Sequence, residues 1–175
     1  MDHNDHVNLI RGGVTQSSGV WADLGSGGGA FTLALADLLG DNAQIYSIDR
    51  DSNVLNQQRD AIRKRFPNRR VNYQTADFTR KLDLPPLDGL IMANSLHFVR
   101  HKEPVLELVR GYLKPGSSLI LVEYNTDRGN TWVPYPMTFE TWRELAAKNG
   151  FKDTRLLFSR PSRFLDEIYS ALSFS

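Results

Sequence analysis

The sequence predicts an α/β fold, in which parallel strands alternate with helices that cross over the sheet. Short β-branched or apolar runs alternate along the chain with segments whose apolar residues recur at helical spacing. This alternation is typical of strand–helix–strand units. In addition, the run from Gly89 to Ala93 is apolar throughout, as expected of a central strand that helices cover on both faces.

The first half of the chain alternates strands and helices regularly. Strands are predicted at Val20 to Leu24, Gln44 to Asp49, Val71 to Thr75 and Gly89 to Ala93. A helix from about Ala30 to Leu39 stops at Gly40, because glycine readily adopts the left-handed conformation that ends helices. A second helix begins near Asp51 and ends before Pro67, because a proline disfavours helical conformation in the residue that precedes it.

The second half continues this pattern and then departs from it. A helix with Pro104 in its first turn ends at Lys114-Pro115-Gly116, and a strand from Ser118 to Tyr124 follows. The next helix runs from Thr138 to Lys148. Two extended segments come last, Lys152 to Ser159 and Phe164 to Leu172. Since no helix separates these two segments, we expect them to pair antiparallel.

Composition limits the classes of protein to which the chain can belong. Its 175 residues suit one domain, and 21 Lys and Arg against 20 Asp and Glu give a formal charge of +1. So small a charge provides no global field to attract nucleic acid or an anionic membrane. The absence of Cys excludes disulfides, thiolate metal ligands and a Cys nucleophile. No membrane-spanning or secretory segment is recognisable, so we expect a cytoplasmic protein.

A glycine-rich turn after the first strand predicts a ligand site. It runs Asp23-Leu24-Gly25-Ser26-Gly27-Gly28-Gly29 and leads into a helix whose N-terminal amides face the sheet edge. Its glycines also fit the loose dinucleotide fingerprint, and Asp49 would accept hydrogen bonds from ribose hydroxyls with either kind of cofactor. Asp23 distinguishes a dinucleotide from a cofactor with an amino-acid group, because a carboxylate there would repel a pyrophosphate and attract the ammonium of an amino acid. Asp77 is placed to accept from an adenine amino group.

Together with two further motifs, these residues resemble class I S-adenosylmethionine (SAM)-dependent methyltransferases over nearly the whole chain. The matching segments are Val20 to Gly29, Ile48-Asp49, Ala76-Asp77-Phe78, Leu87 to His97 and Leu113-Lys114-Pro115-Gly116. The resemblance implies a three-layer Rossmann-like fold, with a seven-stranded sheet in the order 3-2-1-4-5-7-6 and strand 7 antiparallel. It implies a single domain over residues 1–175, in which 1–18 form an N-terminal segment and candidate lid and 19–175 the catalytic core.

By the same resemblance, the chain would transfer a methyl group from SAM and release S-adenosylhomocysteine (SAH). The residues that would hold the cofactor are Asp23, Leu24, Gly25, Ser26, Gly27, Gly29, Asp49, Arg50, Ala76, Asp77, Phe78, Asn94 and Ser95. His97 is the candidate general base, because an imidazole takes up and releases protons near neutral pH. A packing role for His97 is the alternative.

A small organic molecule is the expected acceptor. Glu123, Tyr124, Trp132 and Tyr135 are its candidate pocket residues, because they lie at or after the end of the fifth strand, near the mouth of the crevice. Trp132 and Tyr135 would equally suit a loop that packs its aromatic rings against the last helix. No metal ion and no nucleic acid is expected as a partner, and the chain would act as a monomer or homodimer.

Three other functions remain open from the sequence. The acceptor could be RNA or protein, because nothing inserted in the chain covers the crevice. A non-catalytic protein could retain the fold and bind SAM, since fold does not imply activity. An NAD-binding oxidoreductase would share the glycine spacing, although the charge of Asp23 disfavours it.

Overall fold

The computed structural model describes all residues from 1 to 175 and contains five α-helices and seven strands. The helices are α1 (His3–Ile10), α2 (Ala30–Leu38), α3 (Ser52–Arg65), α4 (Glu103–Tyr112) and α5 (Phe139–Lys148). The strands are β1 (Val20–Leu24), β2 (Gln44–Asp49), β3 (Arg70–Thr75), β4 (Leu87–Ala93), β5 (Leu113–Tyr124), β6 (Lys152–Pro161) and β7 (Glu167–Phe174). None of the helices has the length and hydropathy that a membrane span requires.

The strands form one mixed sheet in the order β3-β2-β1-β4-β5-β7-β6. The first five strands of this order are parallel, and β7 is antiparallel to both β5 and β6. The expected sheet order and the antiparallel last strand are therefore confirmed. Because the parallel strands run in one direction, their carboxyl ends meet at a single edge, which we call the carboxyl edge.

Helices cover both faces of the sheet and give the fold three layers. Successive side chains of β4 enter different cores, as the two-residue period of a strand dictates. Leu90 lies in one core with Trp142 of α5. Ile91 lies in the other core with Leu9 of α1 and Phe31 of α2. Burial on both faces explains why β4 is apolar throughout.

The predicted end of the helix with Pro104 at Lys114-Pro115-Gly116 and the predicted start of the next strand at Ser118 are both wrong. β5 begins at Leu113, directly after α4, and includes these three residues. Leu113 pairs with Leu87 of β4, and the regular pairing resumes at Gly89 and Ser118 after an irregularity in the register. Pairing with β4 therefore extends the strand through a segment whose Pro and Gly by themselves favour a turn.

The last two strands pair antiparallel as predicted, but their bounds differ from the prediction. β6 continues to Pro161, and β7 begins at Glu167 rather than at Phe164. Residues 162–166 form the connecting loop, which we call the hairpin loop; the amide of Ser162 donates to the Asp166 carbonyl at 2.7 Å. Phe164 consequently lies in this loop and is half-exposed instead of belonging to a strand.

The N-terminal segment forms a helix that belongs to the core. Asp2 and Asp5 start α1 with a capping box, in which each carboxylate accepts a hydrogen bond from the other residue's amide. Further along the helix, Leu9 and Ile10 are fully buried. Asp5 also forms an ion pair with Arg160 of β6. The part of the segment that borders a cavity is its start, from Met1 to Asp5.

Candidate functional site

A cavity of about 480 Å³, which we call the first cavity, opens at the carboxyl edge. Nine of the predicted cofactor residues line it: Gly25, Gly27, Asp49, Arg50, Ala76, Asp77, Phe78, Asn94 and Ser95. They come from the turns that follow β1, β2, β3 and β4, so the parallel sheet brings four separate segments of the sequence to one place.

Four predicted residues do not line the first cavity: Asp23, Leu24, Ser26 and Gly29. Asp23 is only 1% exposed, and its Oδ2 accepts a hydrogen bond of 2.6 Å from Thr32 Oγ1 of α2. Burial raises the pKa of Asp23 to about 7, although the hydrogen bond from Thr32 opposes this shift. Asp23 is thus part of the buried support of the glycine-rich turn, and its contact with a ligand ammonium stays a prediction.

The glycine-rich turn is held from behind by polar side chains. Gln58 of α3 donates from Nε2 to the Gly27 carbonyl at 3.2 Å, and its Oε1 accepts from Ser47 Oγ at 2.6 Å. Ser47 Oγ also lies 2.8 Å from Ser26 Oγ. Gln58 was not among the predicted site residues. The sequence could have indicated Gln58, because this polar residue occupies a buried position on the otherwise apolar face of α3.

Gly25 and Gly27 both have a positive φ, but they do different things. At Gly25, with φ of 74°, an added Cβ would lie 2.5 Å from the Cβ of Ser95, so the backbone of β1 approaches that of β4 closely. At Gly27, with φ of 51°, an added Cβ would meet nothing within 4 Å. Glycine adopts this backbone conformation without strain, and at Gly27 it leaves the wall of the cavity free of a side chain.

Carboxylates dominate the charge of the first cavity. Asp49 accepts from the amides of Gly27 at 2.8 Å and Asp51 at 3.0 Å, which fixes its orientation. Hydrogen bonds from the hydroxyl and amide of Thr79 lower the pKa of Asp77. With Asp51, these groups outnumber the single guanidinium of Arg50, so the cavity favours a cationic ligand that has hydroxyl or amino donors. Nowhere in the structure are three or more His, Cys, Asp or Glu grouped so that they could hold a metal ion.

Asn94 gives the most direct sign that the first cavity holds a ligand. Its side-chain Oδ1 is buried and has no hydrogen-bond partner. Its backbone is left-handed, with φ of 52°, while its amide donates to the Val122 carbonyl at 2.9 Å. A buried acceptor without a partner is costly, and a ligand that brought an N–H or O–H group would remove this cost.

His97 and Glu123 form a buried pair, with side chains that are 3% and 0% exposed. Nδ1 of His97 lies 2.8 Å from Oε2 of Glu123, and the amide of His97 donates to Oε1 at 3.1 Å. Because an ionised carboxylate only accepts, it favours the tautomer with the proton on Nδ1. Nε2 makes no hydrogen bond within the protein, and it is not fully buried. Its lone pair is therefore not engaged by another group of the protein.

The predicted base His97 lines neither of the two largest cavities, but its ring adjoins a wall residue of each. Phe98, which lines the first cavity, lies 4.4 Å away between ring centroids. Tyr124, at 6.3 Å, lines a second cavity of about 590 Å³. The start of α1, the end of β5 and the hairpin loop enclose this second cavity. Tyr124 is the one predicted acceptor residue that lines this cavity, and its role in binding an acceptor stays a prediction.

The other predicted acceptor residues line neither cavity. Glu123 is buried behind His97. Trp132 is 74% exposed, so its indole supplies no wall. Tyr135 is also exposed, and its amide donates to the His97 carbonyl at 3.0 Å. The aromatic wall expected after β5 is instead made by Tyr124 and Phe164, whose ring centroids are 5.7 Å apart.

Several residues of the site were missed from the sequence. The first cavity is also lined by Asp51, Val54, Thr79, Phe98 and Val99. Most of these lie within two residues of a predicted site residue, which was the available signal. No pattern in the sequence singles out Lys102. Its buried Nζ donates to the carbonyls of Val99 at 2.9 Å and Tyr135 at 3.0 Å. Burial lowers the pKa of Lys102. This lysine ties together the two loops that flank His97.

The sheet order and the cavity below the glycine-rich turn define a Rossmann-like domain of the methyltransferase class. A family model described as "Methyltransferase domain" matches residues 16–164. The chain therefore belongs to the class I SAM-dependent methyltransferase family.

Known proteins resemble the chain to different extents. It is 29% identical over 108 residues to the ubiquinone/menaquinone biosynthesis C-methyltransferase UbiE of Shewanella frigidimarina, covering 61% of this chain and 43% of that protein. The chain spans less than half the length of the curated relatives that it matches.

Two solved structures share the fold. A SAM-dependent methyltransferase from Aquifex aeolicus has a TM-score of 0.73 and 16% identity, with 99% of this chain and 98% of that chain covered. The CurJ carbon methyltransferase has a TM-score of 0.74 and 20% identity, with 91% and 49% covered. At these identities the likeness concerns the fold.

Proposed function

We propose that this chain transfers a methyl group from SAM to a small organic molecule that lies in the second cavity, and releases SAH. The observation that supports the proposal is the packing of His97 against Phe98 of the first cavity and near Tyr124 of the second, with Nδ1 held by Glu123. A base must reach the acceptor, and the acceptor must lie beside the methyl donor. An imidazole that adjoins a wall residue of each cavity is the ionisable group best placed for this.

The chemistry of the first cavity fits SAM. Asp49 would accept from the ribose hydroxyls, and Asp77 from the adenine amino group, with Phe78 against the ring. Asn94 Oδ1, which has no protein partner, would accept from a donor of the cofactor. The excess of carboxylates suits the positive charge of a sulfonium. When bound, the cofactor supplies a methyl group on this sulfonium, which is an activated electrophile.

The chain's own residues have three tasks: to orient the acceptor, to exclude water and to take up a proton. Nε2 of His97 is the atom that accepts the proton lost by the acceptor. Glu123 maintains the tautomer in which Nε2 is unprotonated, and it stabilises the imidazolium that then forms. The rings of Phe98 and Tyr124 lie near the imidazole, which is only 3% exposed, and water is thereby largely kept from it.

Carbon is the acceptor atom that we propose. The relative UbiE is named a C-methyltransferase, and CurJ is named a carbon methyltransferase. Removal of a proton converts a phenol or an enol into an anion whose carbon is nucleophilic, and this step needs a base such as His97. The size of the second cavity, about 590 Å³, supports a small molecule rather than RNA or protein.

Calorimetric titration with SAM, SAH and NAD tests the cofactor first. We expect micromolar binding of SAM and SAH and none of NAD. Asp49→Asn should weaken SAH binding by about tenfold or more, since a charge-assisted hydrogen bond is lost. Asp60→Asn, on the exposed side of α3, is the matched control and should leave the affinity unchanged. Binding of NAD without SAM or SAH would overturn the proposal.

The second part of the test is turnover. We would screen phenolic and enolisable compounds for SAH release in the presence of SAM, with the wild type and His97→Asn. Release by the wild type that is lost in the variant supports the proposed base. If SAM binds and a protein or RNA is methylated but no small molecule is, the acceptor is that macromolecule and the proposed small-molecule acceptor is wrong.

A further inference from the structure

We propose that the acceptor carries an oxyanion, a carboxylate or a phosphate, which Arg163 recognises at the wall of the second cavity. This inference rests on the proposed function, because it takes the second cavity to be the acceptor site. It adds the chemical class of the acceptor: a planar apolar body with an anionic substituent.

The apolar part of the second cavity suits a planar molecule. Tyr124 and Phe164 contribute aromatic rings, and Pro161 and Ile168 add apolar surface. Aromatic rings of this kind offer faces and edges on which another ring packs favourably. The walls therefore select a flat apolar body, while polar selection depends on the charged side chains around it.

Two arginines and two aspartates also line the second cavity. The aspartates already have partners: the Asp2 carboxylate caps α1, and the Asp5 carboxylate accepts from the Asp2 amide and pairs with Arg160. Arg163 forms no ion pair with any carboxylate. Its exposed guanidinium is free to bind a ligand, and its planar donors suit a carboxylate or a phosphate.

The ion pair between Asp5 and Arg160 anchors one end of the hairpin loop that carries Arg163. It joins the start of α1 to the end of β6, directly before the hairpin loop that carries Arg163. The loop itself is closed by the hydrogen bond from Ser162 to Asp166. Arg163 therefore stands on a short loop that is fixed at both ends, rather than on a long flexible segment.

Arg163 and His97 have different places relative to Tyr124. Tyr124 lies at the end of β5 beside His97, whereas Arg163 lies in the hairpin loop, which also lines the cavity. An acceptor whose anion meets Arg163 can extend along Tyr124 toward His97. The anion would then fix the direction in which the molecule enters and present its opposite end to the base.

The experiment uses the full chain saturated with SAH and arenes in pairs of one anionic and one neutral compound. The pairs are benzoate with benzamide, 4-hydroxybenzoate with 4-hydroxybenzamide, and phenyl phosphate with phenol. Dissociation constants are measured by protein-observed NMR titration at millimolar concentrations. We expect each anion to bind about five- to tenfold more tightly than its neutral partner, as for one partly exposed charge-assisted hydrogen bond. The carboxylate and phosphate arms show which oxyanion fits better.

Arg163→Met is the test variant and should abolish the preference for the anion, while Arg163→Lys should retain part of it. Arg63→Met, which removes an exposed arginine of α3 that forms no ion pair, is the matched control and should keep the full preference. Equal binding of charged and neutral arenes, no binding of either, or an unchanged preference in Arg163→Met would each overturn the inference.

The titration separates this inference from the proposed function. SAH binding is measured on the same samples, and none of the variants lies in the first cavity. If SAH binds and the arenes show no charge preference, the inference fails and the methyl-donor site stands. If SAH does not bind, the proposed function fails, whatever the arenes do.

Discussion

Nδ1 of His97 lies 2.8 Å from Oε2 of Glu123 at the end of β5, in a pair that is closed to solvent on the Glu123 side. This contact joins the turn after β4 to β5, the neighbouring strand of the sheet. The carboxylate thereby sets both the orientation of the imidazole and its tautomer. In the tautomer that this contact favours, Nε2 carries no proton.

Replacing His97 by Asn should lower kcat by about 10²- to 10⁴-fold, because the variant lacks the proton acceptor. Glu123→Gln should have a smaller effect in the same direction, since the imidazole remains but loses its ionised partner. SAH affinity, measured by calorimetry, should change little in either variant. Glu140→Gln, on exposed α5, serves as the control. Full turnover in His97→Asn would remove His97 from the mechanism.

Asn94 separates backbone conformation from ligand binding. Its φ of 52° favours Gly over Ala, so Asn94→Ala should unfold with a free energy about 1 kcal/mol lower than that of Asn94→Gly. Both variants lose Oδ1 and should bind SAH more weakly than the wild type. Urea denaturation and calorimetry measure the two effects. Equal SAH affinity in all three proteins would show that Oδ1 does not contact the cofactor.

Two glycines of the same turn should respond differently to Ala. Gly25→Ala forces a Cβ to within 2.5 Å of Ser95 at a positive φ, so we expect a loss of about 1–3 kcal/mol in the free energy of unfolding. Gly28→Ala meets nothing within 4 Å and should stay within about 0.5 kcal/mol of the wild type. Thermal and urea unfolding would show the contrast, and equal stabilities would contradict the close approach.

Asp23 should make stability depend on pH in a direction unusual for a carboxyl group. Its folded pKa of about 7 lies above the ordinary value of 3.8, so the folded protein retains a proton that the unfolded chain has released. The stabilising contribution is therefore complete below the ordinary value and is lost as pH rises through about 7.

Asp23→Asn removes this titration. Relative to the wild type, the variant should gain free energy of unfolding as the pH is raised from about 5 to about 8, by on the order of a few kcal/mol. Urea denaturation across this range measures the difference, and Asp60→Asn provides the control. Parallel curves for Asp23→Asn and the wild type would place the pKa of Asp23 near its ordinary value.

Local patterns in the sequence were sufficient for the parallel half of the sheet and for most of the first cavity. β1 and β2 have their predicted bounds, because apolar strands there are followed by glycine or by an aspartate that caps a helix. Asp49, Asp77 and Asn94 could be placed, since residues that follow parallel strands must converge at one edge.

Features that depend on distant partners were not predictable in this way. The early start of β5 depends on Leu87, which lies far from Leu113 in the chain. The role of Lys102 depends on a carbonyl 33 residues away, at Tyr135. The second cavity joins the start of α1 to the hairpin loop, and no local pattern links the two ends of a chain.

The two cavities are assembled from different stretches of the chain. The first uses residues between Gly25 and Val99, whereas the second uses Met1 to Asp5 and residues from Tyr124 onward. If the second cavity holds the acceptor as proposed, exchange of the hairpin loop, residues 162–166, would change which compounds are accepted and leave the first cavity as it is. On that proposal, the domain offers a starting point for loop grafting, in which new acceptor preferences are tried while the first cavity stays unaltered.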